Sequence, residues 1–288
     1  RVQQVKFIDR TFNCNRERAF EIWKFLKDHD NGITNFHFEI AAELLTPELT
    51  ELLGELRPGL IQLEIGVQST NLTTLDAIHR KADWCTAKAT ILKVIGHGNV
   101  HVHLDLIAGL PNEGLSSFEN SFNDVYALQP HQLQLGFLKL LSGSLLADEA
   151  ANYGIVCRNY PPYEVLKTDA LSFKELVFLK HIEELTELFY NSGRFRSSLS
   201  LVMPLFASPF AFYRSLQKQL EQNGLTVQQL GKYGGYQLLL SLCETSAPSL
   251  LFDLRQTIKY DIFARERVQI LPAFLELPIT KQNSDPVK

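Results

Sequence analysis

The sequence predicts an α/β fold, in which an open (β/α) barrel portion is followed by a mostly helical C-terminal region. Over roughly the first 140 residues, five short segments of alternating apolar and polar residues are separated by segments with helical spacing. From Ser172 onward, nearly every segment has the apolar spacing of a helix. We therefore predict a barrel portion at 1–142, a connecting segment at 143–171 and a helical domain at 172–288.

The predicted strands share one unusual property, because four of the five have a clearly polar face. Side chains alternate between the two faces of a strand, so these polar groups collect on one side of the sheet. A doubly wound sheet favours continuously apolar strands, so we prefer a curved, TIM-like partial barrel with a wet concave side. In such barrels the functional residues lie at the C-terminal ends of the strands. The predicted strands are residues 3–9, 34–40, 60–68, 100–107 and 131–137.

The helices are predicted from apolar spacing and from terminal signals. Ser172 and Glu175 have the spacing of a capping box, which marks the start of a long helix. Residues 158–171 are predicted to be irregular, and the polar tail from Gln282 is predicted to be disordered. The predicted helices are residues 16–29, 46–56, 71–78, 86–97, 116–128, 144–154, 172–193, 209–223, 227–244 and 249–267.

The composition argues against several classes of partner. The formal net charge of −4 gives no electrostatic basis for binding nucleic acid or an anionic membrane surface. No apolar run approaches the roughly 20 residues of a membrane-spanning helix. The four cysteines stand far apart without CxxC spacing, so we expect reduced thiols in a cytoplasmic protein rather than disulfides or a zinc site. Arg1 is not an initiator residue, and we expect the chain to be a fragment of a longer polypeptide.

Three motifs together resemble the radical S-adenosylmethionine (radical SAM) superfamily. They are GVQS at 66–69, Arg80 twelve residues after Gln68, and DLIAGLP at 105–111. This pattern is most similar to oxygen-independent coproporphyrinogen oxidases and tRNA-modifying members, and it covers roughly residues 1–140. The segment YPPYEVLKT at 160–168 and the long helix after it resemble an uncharacterised domain found in cobalamin-binding radical SAM proteins.

The resemblance implies a partial (β/α)6 barrel with a 4Fe–4S cluster held by a CxxxCxxC loop after the first strand. That cluster would cleave S-adenosylmethionine reductively to a 5′-deoxyadenosyl radical. CxxxCxxC is absent here, and Cys14 has no partners at the required spacing. We therefore expect the first strands and the cluster ligands to lie in upstream domains of the same polypeptide, and this fragment to be inactive alone. Cobalamin, which the subgroup implies, would be bound outside this chain as well.

Three residues of these motifs match positions that contact S-adenosylmethionine in the family. The resemblance implies that Asp105 accepts hydrogen bonds from the ribose hydroxyls and that Gln68 bonds the ribose or the amino-acid part. It implies that the planar guanidinium of Arg80 holds the methionine carboxylate. The alternatives are structural, namely a loop-capping carboxylate for Asp105 and a surface ion pair for Arg80.

Further candidates lie close to these motifs. Glu39, at the end of the preceding strand, is a candidate partner for the methionine ammonium. Gly109 and Pro111 belong to a tight turn that we expect to bring backbone near the adenine. The sequence identifies no catalytic residue. Three histidines on polar strand faces invite a metal site, but we favour a hydrogen-bonded lining and predict no metal ligands. These histidines are His37, His101 and His103.

Two functions from different classes follow. The first is part of a radical SAM enzyme, acting on a small-molecule or macromolecular substrate that the sequence does not identify. The second is a catalytically inert barrel used for binding or assembly, which the missing cysteine motif favours. A coproporphyrinogen oxidase-like enzyme is a narrower version of the first.

Overall fold

The first part of the chain is built on a five-stranded parallel sheet, seen in a computed structural model that describes residues 2–81, 83–267 and 270–275. Neighbouring strands pair in parallel and lie side by side in sequence order. The predicted α/β class, with parallel strands alternating with helices, is confirmed. The strands are β1 (Gln4–Lys6), β2 (Asn35–Ile40), β3 (Ile61–Gln68), β4 (His101–Ala108) and β5 (Gln132–Phe137).

The chain divides into two compact units, Arg1–Glu187 and Leu188–Lys288. The predicted tail from Gln282 lies outside the described residues. The helices of the first unit are α1 (Arg16–Asp28), α2 (Pro47–Gly54), α3 (Leu72–Ala77), α4 (Trp84–His97), α5 (Leu115–Tyr126), α6 (Leu145–Glu149) and α7 (Phe173–Thr186).

Helix starts in this unit follow the sequence signals. The side chain of Thr46 accepts a hydrogen bond from the Leu49 amide, and Pro47 takes the first helical position of α2. The predicted capping box of α7 is present, with Ser172 and Glu175 each accepting from the other's backbone amide. These local interactions fix where each helix begins and therefore how the strand-to-helix loops end.

The two faces of the sheet differ as the alternation predicts. Along β3, every second residue from Ile61 to Val67 is buried, and the residues between them are partly exposed. On the apolar face, the ring of Phe38 packs against Phe12 with 4.4 Å between centroids and against Trp23 with 5.9 Å. All three side chains are fully buried. The helices therefore cover the apolar face, and the polar side chains collect on the other one.

A short antiparallel hairpin corrects the prediction that residues 158–171 are irregular. It pairs β6 (Val156–Cys157) with β7 (Val165–Lys167). Strands of two and three residues are too short to show a period-2 pattern, which is why the sequence did not reveal them. The side chain of Val165 is buried, so the hairpin contributes to the core of the first unit.

The second unit is helical. A single helix was expected at 227–244, but the structure has a 3₁₀ turn at Val227–Gln229 and a separate helix that begins at Gly234. Gly231 lies in the break between them, where glycine disfavours a continuous helix, whereas Gly234 and Gly235 are the first two residues of the second helix. The helices are α8 (Arg196–Val202), α9 (Pro209–Gln222), α10 (Gly234–Ser246) and α11 (Leu251–Arg265).

None of the described helices is by itself long and apolar enough to cross a bilayer. One pair, Arg196–Leu205 with Pro209–Gln222, meets the criteria of length and composition only when taken together across a bend of 99°.

Candidate functional site

A cavity of about 460 Å³ lies at the C-terminal ends of β2, β3 and β4. Four of the six predicted site residues line it, namely Glu39, Gln68, Arg80 and Asp105. Residues from separate parts of the sequence meet here because parallel strands end at one edge of the sheet. Further charged residues in the wall are Arg10, Glu43, Glu64, His79 and Lys81.

Asp105 lies near the C-terminal end of β4, with 17% of its side chain exposed. Its Oδ1 lies 3.0 Å from Nε2 of His103, but neither atom makes a well-directed hydrogen bond within the described residues. Burial raises the pKa of the Asp105 carboxyl, and His103 offsets only part of that rise. Burial lowers the pKa of His103, but Asp105, Glu64 and Glu187 outweigh it and leave the pKa above its usual range. Asp105 therefore keeps unused acceptor capacity towards the cavity.

Glu64, another partly exposed acid of the wall, is already paired with other side chains of the fold. Its Oε2 lies 2.8 Å from Nε2 of His37 and 3.4 Å from Nζ of Lys6. Burial raises the pKa of Glu64, but Lys6, His103 and His37 outweigh that effect and hold it below the usual range. The Lys6 ammonium also lies 3.2 Å from Oε1 of Glu39. Glu39 is therefore paired with Lys6, as Glu64 is, and lines the cavity beside that ammonium group.

Gln68 ends β3 in a left-handed backbone conformation, with φ at 71° beside a register shift between Gly66 and Gln68. This conformation folds the Gln68 side chain back over Gly66, where a Cβ atom would lie 2.1 Å from Nε2. Oε1 of Gln68 is buried without a hydrogen-bond partner among the described residues. Gly66 is therefore part of the site, although the sequence marked it only as a member of the GVQS motif.

Arg80 follows α3 and reaches the cavity from the loop before α4. Its Nη2 lies 3.6 Å from Oε1 of Glu43, which is too long for a good hydrogen bond. Its Nη1 lies 3.7 Å from the position that a Gly66 Cβ would take. About a quarter of each side chain is exposed. The guanidinium therefore has donors available to an anionic group in the cavity.

Gly109 and Pro111 occupy the turn after β4 but are not among the residues that line the cavity. Gly109 has φ at 88°, and a Cβ atom there would lie 2.7 Å from Cγ1 of Val165. The absence of a side chain at Gly109 thus allows β7 to approach closely. The expected contact with adenine remains a prediction.

The histidines of the polar face are engaged with other side chains. The rings of His101 and His131 lie 4.9 Å apart. Burial lowers the pKa of His101 to about 4, and the neighbouring His131, His103 and His37 add to this effect. His101 is therefore neutral near pH 7. Within the described part of the chain, no group of three or more His, Cys, Asp or Glu side chains has the geometry of a metal site.

A buried cluster of one carboxyl group and two serine hydroxyls was not predicted from the sequence. Glu113, in the loop after β4, is fully buried and accepts hydrogen bonds from Ser69 Oγ at 2.5 Å and Ser121 Oγ at 3.1 Å. Burial raises the pKa of Glu113 to about 7, against the opposing effect of the two serines. Its second oxygen, Oε2, has no partner among the described residues. The cluster joins the loop that follows Gln68 to helix α5.

The cysteines stand singly in the structure as they do in the sequence. Cys14 and Cys85 are exposed, Cys157 is partly exposed and Cys243 is buried in the second unit. All four are free thiols. A 4Fe–4S cluster needs three thiolates at one place, so these residues do not fit such a cluster.

Comparison with known proteins gives matches in both parts of the chain. Residues 151–288 match the model of a family described as a protein of unknown function, DUF4080. No curated protein sequence matches the chain. The solved structures that match include radical SAM enzymes.

Three of these structures illustrate the likeness. The methyltransferase TsrM from Kitasatospora setae is 14% identical, with 56% of this chain and 33% of that chain covered and a TM-score of 0.47. Coproporphyrinogen III oxidase (HemN) from Escherichia coli is 21% identical, with 67% and 41% covered and a TM-score of 0.47. The cobalamin-dependent enzyme OxsB is 13% identical, with 91% and 51% covered and a TM-score of 0.46.

The chain thus spans between a third and about half of the length of these structures. At such identities the likeness concerns the fold. The predicted resemblance to radical SAM enzymes, with an uncharacterised family in the C-terminal part, is confirmed.

Proposed function

We propose that this chain carries the S-adenosylmethionine-binding part of a radical SAM enzyme. The observation that carries the proposal is the convergence of Glu39, Gln68, Arg80 and Asp105 on one cavity. The strand order 1-2-3-4-5, without the reversal of a doubly wound sheet, supports a partial TIM-like barrel. The polar face on one side of that sheet supports it further.

The chemistry of the wall fits S-adenosylmethionine, which carries ribose hydroxyls, a carboxylate, an ammonium and a sulfonium. The buried oxygens of Asp105 and Gln68 have unused acceptor capacity, which suits ribose hydroxyls. Arg80 has donors for the carboxylate. Glu39, which lines the cavity and pairs with Lys6 at 3.2 Å, is proposed to take the ammonium. The wall has four acidic residues against three basic ones, so its charge gives a small preference for a ligand with positive charge. The acidic residues are Glu39, Glu43, Glu64 and Asp105, and the basic residues are Arg10, Arg80 and Lys81.

The whole enzyme would use a 4Fe–4S cluster to cleave S-adenosylmethionine reductively. Since the four single cysteines here do not fit a cluster, the proposal assigns its ligands to another part of the polypeptide. Cobalamin, as a further cofactor, and the substrate are likewise proposed to need parts outside this chain. The role of the present residues is to bind S-adenosylmethionine and to orient it.

The binding proposal is tested by calorimetric titration of the chain with S-adenosylmethionine. Asp105→Asn should weaken binding about ten- to one-hundred-fold, because hydrogen bonds to a charged acceptor contribute about 1.5–3 kcal/mol. Asp9→Asn is the matched control, since Asp9 follows β1, pairs with Arg18 at 3.3 Å and is not among the residues lining the cavity. An Asp105→Asn affinity equal to that of the control contradicts the proposal.

The enzymatic part is tested on the full-length polypeptide, reconstituted without oxygen and then reduced. Formation of 5′-deoxyadenosine and methionine is the expected result. If neither product forms although the cluster is intact, the result favours the alternative of an inert barrel used for binding or assembly. The observation that favours this alternative is that the four cysteines stand singly and do not form a cluster site.

A further inference from the structure

The loop at 69–71 lies between two residues that are proposed to bind S-adenosylmethionine. Gln68 ends β3 directly before this loop, and Asn71 caps α3, the helix that leads to Arg80. The amide of Arg80 donates a hydrogen bond to the carbonyl of Leu75 in that helix at 2.9 Å. The position of the loop therefore affects where both Gln68 and Arg80 lie relative to the cavity.

Glu113 joins this loop to α5. Its Oε1 accepts hydrogen bonds from the hydroxyl of Ser69, in the loop, and from the hydroxyl of Ser121, on α5. Each hydroxyl in turn accepts a hydrogen bond from a loop amide at 3.0 Å. The amide donors are Asn71 for Ser69 and Thr70 for Ser121. The carboxyl group of Glu113 therefore connects the backbone of the loop to α5 through two hydroxyls.

The second oxygen of Glu113 is what makes this connection sensitive to ionisation. The side chain is fully buried, and Oε2 has no hydrogen-bond partner among the described residues. An ionised carboxylate carries charge on both oxygens, so ionisation would leave a buried charge without a donor, which is costly. The protonated form, with its proton on Oε2, avoids that cost. Burial accordingly raises the pKa of Glu113 to about 7.

The charged groups of the elements around Glu113 do not offset its ionisation. These groups are Asp124 on α5, Asp169 in the loop before α7, and Glu43 and Arg80, which line a cavity of about 20 Å³ together with Ser69. Only burial and the two serine hydroxyls shift the pKa of Glu113 within the part of the chain that the structure describes. The guanidinium of Arg80 lies 3.6 Å from Glu43 instead. Loss of the proton therefore leaves a negative charge that these groups do not neutralise.

We propose that Glu113 is a positioning residue for S-adenosylmethionine, which holds the loop at 69–71 while it is protonated and releases the loop when it ionises. The inference rests on the proposed function, which places S-adenosylmethionine against Gln68 and Arg80. An ionised Glu113 gains stability by drawing in water, and the packing of the loop against α5 must loosen to admit that water. S-adenosylmethionine should therefore bind more tightly below pH 7 than above it.

The test is a series of calorimetric titrations of the chain with S-adenosylmethionine between about pH 6 and pH 8. In Glu113→Gln the amide keeps an acceptor for the two serine hydroxyls and does not ionise. The wild-type affinity should fall about fivefold to tenfold more across this range than the affinity of Glu113→Gln, because one proton is involved. The amino group of S-adenosylmethionine titrates at about pH 8 in both series, so the difference between the two proteins isolates Glu113.

A second variant and a control complete the test. Glu113→Ala removes the connection and should lower the affinity at about pH 6 roughly tenfold, whereas Glu113→Gln should retain it within about twofold. Glu51→Gln, at an exposed position on α2, is the control and should keep the wild-type pH profile. The stoichiometry should stay at about one equivalent at each pH, since a purely structural role would lower the amount of folded protein rather than the affinity.

The outcomes separate this inference from the proposed function. A fall in affinity that is specific to the wild type and absent in Glu113→Gln supports the inference. If both proteins bind S-adenosylmethionine with the same pH profile, or if Glu113→Ala binds as tightly as Glu113→Gln, the inference is overturned while the proposed function stands. If the wild type does not bind S-adenosylmethionine at any pH, the proposed function fails and the inference fails with it.

Discussion

Two aspartates, a buried one in the second unit and a partly exposed one in the first, are used in opposite ways. Asp261 on α11 is 4% exposed and accepts three hydrogen bonds near the start of α8. The donors are the amides of Ser197 and Ser198, both at 2.9 Å, and the hydroxyl of Ser198 at 2.7 Å. Asp105 on β4 has only the poorly directed contact with His103.

The two carboxylates differ in how much of their acceptor capacity the fold itself uses. Asp261 satisfies orphan amides at a helix start, so its acceptor capacity is used within the fold. Asp105 faces a cavity, and part of its hydrogen-bond acceptor capacity is unused. A folded protein tolerates such an unpaired acceptor where a ligand or water supplies the missing donors. Substitutions at these residues and their neighbours test this distinction.

The largest effect is expected at Asp261. Asp261→Ala removes three hydrogen bonds to a charged acceptor and leaves buried donors without partners, so we expect a loss of about 4 kcal/mol in unfolding free energy. Urea denaturation measures this loss. A loss below about 1 kcal/mol would mean that the hydrogen bonds of Asp261 contribute little to stability. Asp261 would then not be a structural acid, and its contrast with Asp105 would not hold.

The second effect concerns Glu113, which lies between these two cases because one oxygen is bonded and the other is not. Its pKa rises from 4.5 to about 7 on folding, so the folded state binds the proton more tightly than the unfolded state. This stabilisation is fully present below about pH 4.5 and is lost as the pH rises through 7, by about 3 kcal/mol in total.

Glu113→Gln should therefore flatten the fall in stability between pH 5 and pH 8, because the amide does not ionise. Denaturation of both proteins across this pH range measures the effect. Glu51→Gln, at an exposed position on α2, is the control and should keep the wild-type slope. A wild-type slope in Glu113→Gln would show that the carboxyl does not titrate in this range.

The third effect is on binding. Gly66→Ala places a methyl group 2.1 Å from Nε2 of Gln68, so the Gln68 side chain must leave its position. We expect S-adenosylmethionine affinity to fall about tenfold, which is the contribution of about one hydrogen bond, with little change in stability. Gly96→Ala on α4 is the control, because nothing lies within 4 Å of its Cβ position. If Gly66→Ala leaves the affinity for S-adenosylmethionine unchanged, Gln68 does not contribute to its binding.

The smallest effect is expected for the stability of Asp105→Asn. Burial penalises the charged form of Asp105, and the side chain supplies no well-directed hydrogen bond to the fold. The unfolding free energy should therefore change by less than about 1 kcal/mol, even though ligand binding falls. A loss near that of Asp261→Ala would make Asp105 a structural acid, and the comparison would fail.

Much of the first unit was predictable because alternation is a strong signal in long strands. The third and fourth strands, where apolar and polar residues alternate over eight positions, were located to within about a residue. The hairpin of β6 and β7 was not, since its strands are too short for a pattern. The expected helix at 227–244 is interrupted around Gly231, where the backbone entropy of glycine opposes a continuous helix.

The sequence predicted only those site residues that belong to a recognisable motif or to the end of a strand. Four motif or strand-end residues meet at the cavity. The orientation of their side chains, and which of their oxygen atoms lack a hydrogen-bond partner, depend on packing across the sheet. Glu113 looked like an ordinary loop acid in the sequence, because its burial results from Ser69 and Ser121, which lie 44 and 8 positions away along the chain.

The serine and glutamate cluster also determines how the loop after β3 exchanges hydrogen with solvent. The amide of Thr70 donates to Ser121 Oγ and the amide of Asn71 donates to Ser69 Oγ, both at 3.0 Å. Both serine hydroxyls in turn donate to Glu113. Because these two amides donate to buried side chains, they should exchange with deuterium more slowly than the amides of an exposed loop. The loop that follows Gln68 should therefore be among the better protected loops of the first unit in a hydrogen-exchange measurement.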